Sequence, residues 1–341
     1  MKKITLDEVA KLAFVSRSVV SRVLNNNPNV SDEARKRVKS IIKEYNYSPS
    51  YLARSLSANR TNEICIIGPR RVGSSLASGF WPILHAGIFE MCIERGYFIN
   101  LTFMSHAIAH EIDDRILNDN RFDGYLLYTQ EVTDIVYESL CKKDVPIALI
   151  GHNDFHPNIP SVDVDNYQGA YLATSYLCDL GHKKIGAILG NLKWKESYDR
   201  KTAFLNVLEE NDLPINENWI IDTSYSELSG YESMKKLLSQ DSHPTALICG
   251  SDSIAMGAIY YLIESNIPVP EKVSIIGFDD LPFTDYLNPP LTTIRQPIFE
   301  KGMYAANLII DIIEGKPIEV LKKIMEPQLI VRKSCDAPPK Y

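Results

Sequence analysis

No apolar run in the 341-residue chain approaches the roughly 18 residues needed to cross a bilayer, and the longest candidates, near 64–68 and 308–313, are short or interrupted. The start, Met1-Lys2-Lys3-Ile4-Thr5-Leu6-Asp7-Glu8, lacks the unbroken apolar stretch and small-residue cleavage site of a secretory signal, so a cytoplasmic chain without membrane partners is expected. The six cysteines (Cys65, Cys92, Cys141, Cys178, Cys249, Cys335) form no CxxC pair and no metal-like spacing, which argues against disulfides and a zinc ribbon. No nucleophile elbow or spaced catalytic pair occurs. Gly68-Pro69-Arg70-Arg71-Val72-Gly73-Ser74-Ser75 has the glycine spacing of a phosphate loop but not its lysine. His106 and His110 lack the intervening acid of an HExxH metal site. No enzymatic activity, cofactor or metal is therefore expected, and His182, followed by Lys183 and Lys184, reads as a helix-end residue facing the dipole.

What is present is length enough for two or three domains at about 150 residues each, with 45% hydrophobic and 23% charged residues, near globular averages. The net charge of −7 conceals an asymmetry: residues 1–60 carry twelve Lys/Arg against five Asp/Glu, and the other 281 carry 24 against 38. A basic head on an acidic body can gather around a polyanion while the body limits non-specific adhesion.

Within the head, Thr5-x-x-Glu8 is a capping box, and Leu6, Val9, Ala10 and Ala13 follow at helical spacing. Ser16 can cap a second helix with Val19, Val20, Val23 and Leu24 on its buried face, and Ser31-Asp32-Glu33 opens a third carrying Ala34, Val38, Ile41, Ile42 and Tyr45. Two short helices joined by a tight turn predict a helix-turn-helix. Its second helix would present Arg17, Ser18, Ser21 and Arg22 to base edges, Arg22 foremost because a guanidinium donates a bidentate pair to guanine. On an isolated basic helix such arginines are usually just a solvated face. Here Tyr47-Ser48-Pro49-Ser50 halts the third helix and a short capped stretch, Tyr51 through Ala58, follows before a polar linker.

Ile4-Thr5-Leu6-Asp7-Glu8-Val9-Ala10-Lys11-Leu12-Ala13, Val15-Ser16, Val20-Ser21-Arg22-Val23-Leu24-Asn25 and Ala53-Arg54-Ser55-Leu56 resemble the amino terminus of the lactose/galactose-repressor (LacI/GalR) family. The resemblance implies double-stranded operator DNA as partner, a pseudo-palindrome with a central CG step, and DNA contacts from Thr5, Ser16, Arg17, Ser18, Ser21, Arg22, Asn25, Tyr47, Ala53 and Arg54. It also implies a hinge helix whose Leu56 wedges into the minor groove; an apolar wedge unstacks a flexible step at a cost of about a few kcal/mol. Two positions depart from the family. Phe14 stands where Gly or Asn is usual, which requires a different turn or compensating packing, since positive φ costs a bulky residue roughly 1–2 kcal/mol. Val19 replaces a common Thr and removes one phosphate contact.

Beyond the linker, apolar strands near 64–67, 98–102, 124–128, 147–150, 184–189, 246–249 and 274–277 alternate with amphipathic helices, which predicts parallel sheets covered on both faces. Two such sets in succession predict two α/β subdomains with a ligand cleft beyond the strand ends. Asp163-Val164-Asp165-Asn166-Tyr167-Gln168-Gly169-Ala170, Leu180-Gly181-His182, Ser251-Asp252-Ser253, Gly277-Phe278-Asp279-Asp280 and Pro289-Pro290-Leu291-Thr292-Thr293-Ile294-Arg295-Gln296-Pro297 extend the resemblance across the body.

The implied organisation is an all-α helix-turn-helix domain (1–47), a hinge and linker (48–62) and a periplasmic-binding-protein-like α/β body (63–341). The body's N-subdomain would span about 63–162 and 293–322, and its C-subdomain about 163–292 and 323–335. Family effector contacts fall on Phe80, Trp81, Arg200, Tyr225, Ser251 and Asp279. Arg and Asp suit vicinal hydroxyls, and aromatic faces suit a sugar or a base, although Trp81 or Tyr225 alone would more often be core and Asp279 alone a turn residue. The purine-responsive branch carries an arginine six positions before the shared one, here Trp194, which tilts the expectation toward a sugar; Gly151 lacks the Asp of some sugar binders. The polar, proline-containing end without a heptad repeat leaves a homodimer as the expected assembly. The expected function is a carbohydrate-responsive repressor. Alternatives are a purine, sugar phosphate or phosphoprotein corepressor on the same fold and, more remotely, a sugar receptor without a regulatory role.

Overall fold

The computed structural model describes residues 4–24, 27–47, 60–69, 79–104, 121–129, 134–153 and 156–339. The chain divides into two compact units, Met1–Asn62 and Glu63–Tyr341.

In the first unit, α1 (Leu6–Leu12), α2 (Arg17–Leu24) and α3 (Asp32–Glu44) enclose Val9, Ala10, Ala13, Val20, Val23 and Val38. The capping box forms as the Thr5-x-x-Glu8 spacing predicts: the Glu8 N–H donates to Thr5 Oγ1 at 3.3 Å and the Thr5 N–H to Glu8 Oε2 at 2.7 Å. Ser31 caps α3 through the Ala34 N–H. The turn after α1 closes with the Val15 N–H on the Ala10 carbonyl at 3.0 Å, and this places Phe14 at φ 54°. Neither compensation expected for Phe14 occurs: the turn keeps the left-handed geometry that favours glycine, and the ring is 86% exposed.

The second unit holds two six-stranded sheets. The first lobe contains β1 (Glu63–Pro69), β2 (Phe98–Met104), β3 (Gly124–Tyr128), β4 (Ile147–Ile150), β5 (Ser161–Val164) and β11 (Lys322–Met325), in the parallel order β11-β5-β4-β3-β1-β2. The second contains β6 (Ile185–Leu189), β7 (Ile220–Asp222), β8 (Ala246–Cys249), β9 (Ser274–Asp279), β10 (Thr292–Arg295) and β12 (Gln328–Ile330), ordered β12-β10-β9-β8-β6-β7, and among the described residues only its β10–β12 pair is antiparallel. The central strands read as unbroken apolar runs because helices bury both faces. The strands β5, β7, β10, β11 and β12 do not stand out from the sequence because polar residues such as Asp163, Asp222, Thr292, Lys322 and Gln328 break their apolar runs, whereas β4 and β8, equally short, are apolar throughout.

The first lobe is covered by α4 (Phe80–Arg95), α5 (Asp134–Lys142) and α10 (Ile298–Ile313). Flanking the second are α6 (Asn166–Asp179), α7 (Lys195–Glu210), α8 (Glu227–Leu238) and α9 (Asp252–Glu264). One helix pair in each lobe touches backbone to backbone. A Cβ on Gly302 of α10 would lie 2.2 Å from the Leu84 carbonyl oxygen of α4, and one on Gly257 of α9 would lie 1.8 Å from the Glu227 carbonyl oxygen of α8.

The chain crosses between lobes three times, at 165, at 296–297 and at 326–327. These crossings correct the expected subdomain limits. Residues 293–295 belong to the second sheet, and 163–164 and 323–325 to the first, because β10 pairs with β9 and β11 with β5. His182 is also reassigned: it is fully buried, with Nδ1 2.9 Å from Thr245 Oγ1 and Nε2 2.9 Å from the Asp336 carbonyl, so it pins the terminal segment to the second lobe. Burial lowers its pKa and keeps the imidazole neutral.

Candidate DNA-reading helix and effector cleft

On the first unit, Arg17, Ser18 and Arg22 are exposed along α2 and Ser21 is half-buried, all on the side away from Val20 and Val23. The Ser16 carbonyl accepts the Val19 and Val20 N–H groups, while its hydroxyl sits 2.8 Å from that of Ser18. Arg17 Nε lies 3.8 Å from Asp7 Oδ1 with both side chains solvated, a pair weak enough for a phosphate to replace. Thr5 is exposed but its hydroxyl serves the cap. Tyr47 packs partly against the three-helix core, and burial raises its pKa. Asn25, Ala53, Arg54 and Leu56, and with them the hinge helix, lie outside the described residues, as do His106, His110 and most of the glycine-containing loop after Gly68.

On the second unit, the two sheets' carboxyl ends face a cavity of about 860 Å³, its solvent-open mouth included, and all six expected effector residues line it. Phe80 and Trp81 start α4; their rings stand edge to face at 5.4 Å, and Trp81 meets Tyr128 at the end of β3 in the same way at 4.7 Å. Tyr225 stacks on Trp194 with centroids 5.9 Å apart and planes 6° from parallel, and its hydroxyl lies 2.6 Å from that of Ser197. The position at which the purine-responsive branch is expected to carry an arginine thus holds a ring that backs Tyr225. Ser251 is occupied structurally: it is the N-cap of α9, accepting the Ile254 N–H at 3.2 Å.

Arg200 is 5% exposed on α7. Its Nε and Nη2 donate to Asn166 Oδ1 at 3.1 and 2.7 Å, its Nη1 donates to the Gly250 carbonyl, and its guanidinium lies 3.6 Å from the centre of the Phe278 ring. Asp279 ends β9 at φ 129° and is followed by Asp280 at φ 61°, backbone that L-residues seldom adopt and that turns the Asp279 carboxylate toward Gln296, whose amide donates to it at 2.5 Å. Behind it, Asp252 accepts the Leu281 N–H at 2.8 Å and the Thr293 hydroxyl at 2.6 Å. Burial pushes the Asp279 carboxyl up to about 6 against the pull of Arg200. Asp252 rises to about 8 through burial and the nearby Asp279 charge.

Several lining residues escaped the sequence reading. Asn166 and Gln296 fall inside quoted motifs, and the signal for a role was their amide at a lobe crossing. Asp163 is an acid in a strand whose four residues are all buried, and Lys301 is a lysine on the buried stripe of α10, one turn before Ala305. A charge on an apolar period was the clue in both cases. Among the described residues no cluster of His, Cys, Asp and Glu is arranged to hold a metal, and no helix is long and apolar enough to cross a membrane.

A model of the lacI family of bacterial regulatory proteins matches residues 5–50, and a periplasmic binding protein-like domain model matches residues 174–335. The chain is 36% identical to the HTH-type transcriptional repressor PurR of Haemophilus influenzae, over 97% of this chain and 98% of that protein. The chain belongs to the LacI family. Among solved relatives, a CelR–cellobiose complex superposes with TM-score 0.76 at 28% identity, covering 97% of this chain and 100% of the other. The Lac repressor dimer bound to operator and the anti-inducer ONPF gives TM-score 0.86 at 25% identity, over 98% and 100%. Membership makes this LacI-family chain a DNA-binding transcriptional repressor and not an enzyme. The helix-turn-helix of 4–47 and the two-lobed body of 63–339 are the family's two working parts.

Proposed function

We propose that this repressor acts as a cytoplasmic homodimer on a pseudo-palindromic operator with a central CG step, and that a small carbohydrate bound between the lobes sets its operator affinity. Arg17, Ser18, Ser21 and Arg22 read base edges, with Thr5, Ser16, Asn25, Tyr47, Ala53 and Arg54 at the backbone and Leu56 wedging the central step. Arg200 and Asp279 hold hydroxyls, while Phe80, Trp81 and Tyr225 cover the apolar sugar face. The observation that carries the reading is the cleft itself, in which the buried Arg200 and Asp279 stand among aromatic rings drawn from both lobes. The CelR–cellobiose relative supports it, as does Trp194 backing Tyr225. A ligand touching both lobes biases their separation, so effector and operator affinities are reciprocally coupled.

A purine effector is the second reading, favoured by 36% identity to a repressor named PurR. Titrating the full-length protein with mono- and disaccharides, sugar phosphates and purines, with and without a labelled operator duplex, separates the two. A sugar that binds and changes operator affinity upholds the proposal; a response to purines alone overturns its carbohydrate part.

A further inference from the structure

The first-lobe wall of the cleft holds a second charged couple, and nothing in the motifs assigned it a role. Lys301 in the first turn of α10 is 5% exposed and Asp163 near the end of β5 is 7% exposed, and both line the cavity. Lys301 Nζ lies 3.8 Å from Asp163 Oδ1, 3.5 Å from Gln296 Oε1 and 5.2 Å from the centre of the Phe80 ring, a cation–π contact that leaves its N–H donors open. Both N···O separations exceed the roughly 2.7–3.2 Å of a well-made N–H···O bond, although an ammonium has three donors to satisfy. The Asp163 Oδ2 receives the Asn166 amide only at 3.4 Å. Nearby in the same wall the Tyr128 hydroxyl is buried with no hydrogen-bond partner among the described residues. Opposite it, three of the five Arg200 N–H groups serve Asn166 and the Gly250 carbonyl, which leaves one on each Nη for a ligand.

Buried charges held this loosely are costly unless a further group completes their bonding. A hydroxyl does so, because it accepts from an ammonium and donates to a carboxylate at once. An anion does not suit the site. Among the described residues the lining has three carboxylates, Asp163, Glu196 and Asp279, against the cations Arg200 and Lys301, and a negative ligand charge would add to that excess. We propose that Lys301 and Asp163 form a hydroxyl-binding couple, with Tyr128 beside it, that works opposite Arg200 and Asp279, so that the effector is an uncharged polyol spanning both lobes. The proposal rests on the carbohydrate reading above and narrows it to neutral sugars, against sugar acids and sugar phosphates.

Calorimetric titration of the full chain with matched pairs tests it: glucose and glucuronate, cellobiose and cellobionate, ribose and ribose 5-phosphate, with hypoxanthine alongside. A neutral sugar is expected to bind at least about tenfold more tightly than its charged counterpart. Lys301→Met weakens that sugar by about tenfold or more, as the loss of a charged hydrogen-bond donor does. Asp163→Asn narrows or inverts the preference for the neutral sugar, because an unopposed ammonium welcomes a carboxylate; a purely structural role leaves that ratio unchanged. The double variant Asp163→Asn/Lys301→Met leaves no unpaired charge, and its thermal unfolding separates lost binding from lost folding. A neutral sugar bound equally well by wild type and the double variant overturns the couple and leaves the carbohydrate reading standing. Binding by only acids, phosphates or hypoxanthine, or by nothing in the panel, overturns both.

Discussion

At the residue scale the cleft is governed by how many carboxyl groups it buries. Asp279 and Asp252 hold folded-state pKa values of about 6 and about 8, above the unfolded value of about 3.9. Between these limits the folded chain binds more protons than the unfolded one. The stability this pair contributes is therefore fully present below about pH 4 and is lost as pH rises through about 6 and then about 8. Asp279→Asn, which mimics the protonated acid, should gain on the wild type in thermal unfolding midpoint as pH rises from about 4 to about 6, and the gain should level off above that. A difference that stays constant with pH would show that the carboxyl is ionised throughout. Phe14 is the other instructive residue, held at φ 54° with its ring in solvent. Phe14→Gly should stabilise the head by about 1 kcal/mol, read as slower amide exchange across α1 to α3 in the intact protein.

At the element scale the lobes are organised by helices that touch through glycine. A methyl group on Gly302 must displace the backbone of α4 near Leu84, and no flexible side chain is there to give way. Gly302→Ala should therefore lower the unfolding temperature by several degrees, as overpacking by about 1–3 kcal/mol does, whereas Gly315→Ala, with nothing within 4 Å, acts only through its positive φ of 72°. The same helix pair carries an ionic cluster in which Arg95 reaches Asp311 at 3.0 Å and Glu314 at 2.8 Å, so its register is fixed by charge at one end and by close packing in the middle. The three crossings between lobes are element-scale features too. Asn166 and Gln296 sit at two of them and hydrogen-bond Arg200 and Asp279, which ties the cleft's polar groups to the segments that join the lobes.

At the scale of the whole molecule, base reading and effector binding belong to different units of the chain, so their losses should separate. Arg22→Ala is expected to relax operator specificity by about 1–3 kcal/mol at the base it reads and to leave effector affinity unchanged. Asp279→Ala is expected to abolish the effector response while the unliganded protein still binds operator. Fluorescence anisotropy with matched and single-mismatch duplexes, run with and without effector, measures both. An Asp279→Ala protein that still responds would place the effector elsewhere.

The sequence alone determined the parts whose physics is local or periodic. The capping box at Thr5, the helical spacing of Val9, Val20 and Val38, the unbroken apolar strands and the basic head all follow from neighbouring residues, and each agrees with the structure. The expected effector residues were legible only through a family resemblance, because Arg200 and Asp279 are remote in sequence and isolated in their own segments. Tertiary structure alone decided what depends on long-range pairing. It assigned β10 to the second sheet and β11 to the first, turned the imidazole of His182, at the end of its helix, to Thr245 and the terminal segment instead of the helix dipole, and turned the Arg200 fork inward. It also set Lys301 beside Asp163. A lysine on an apolar stripe and an acid in a buried strand are each unfavourable alone, and only the packing of α10 against β5 shows that each is the other's partner.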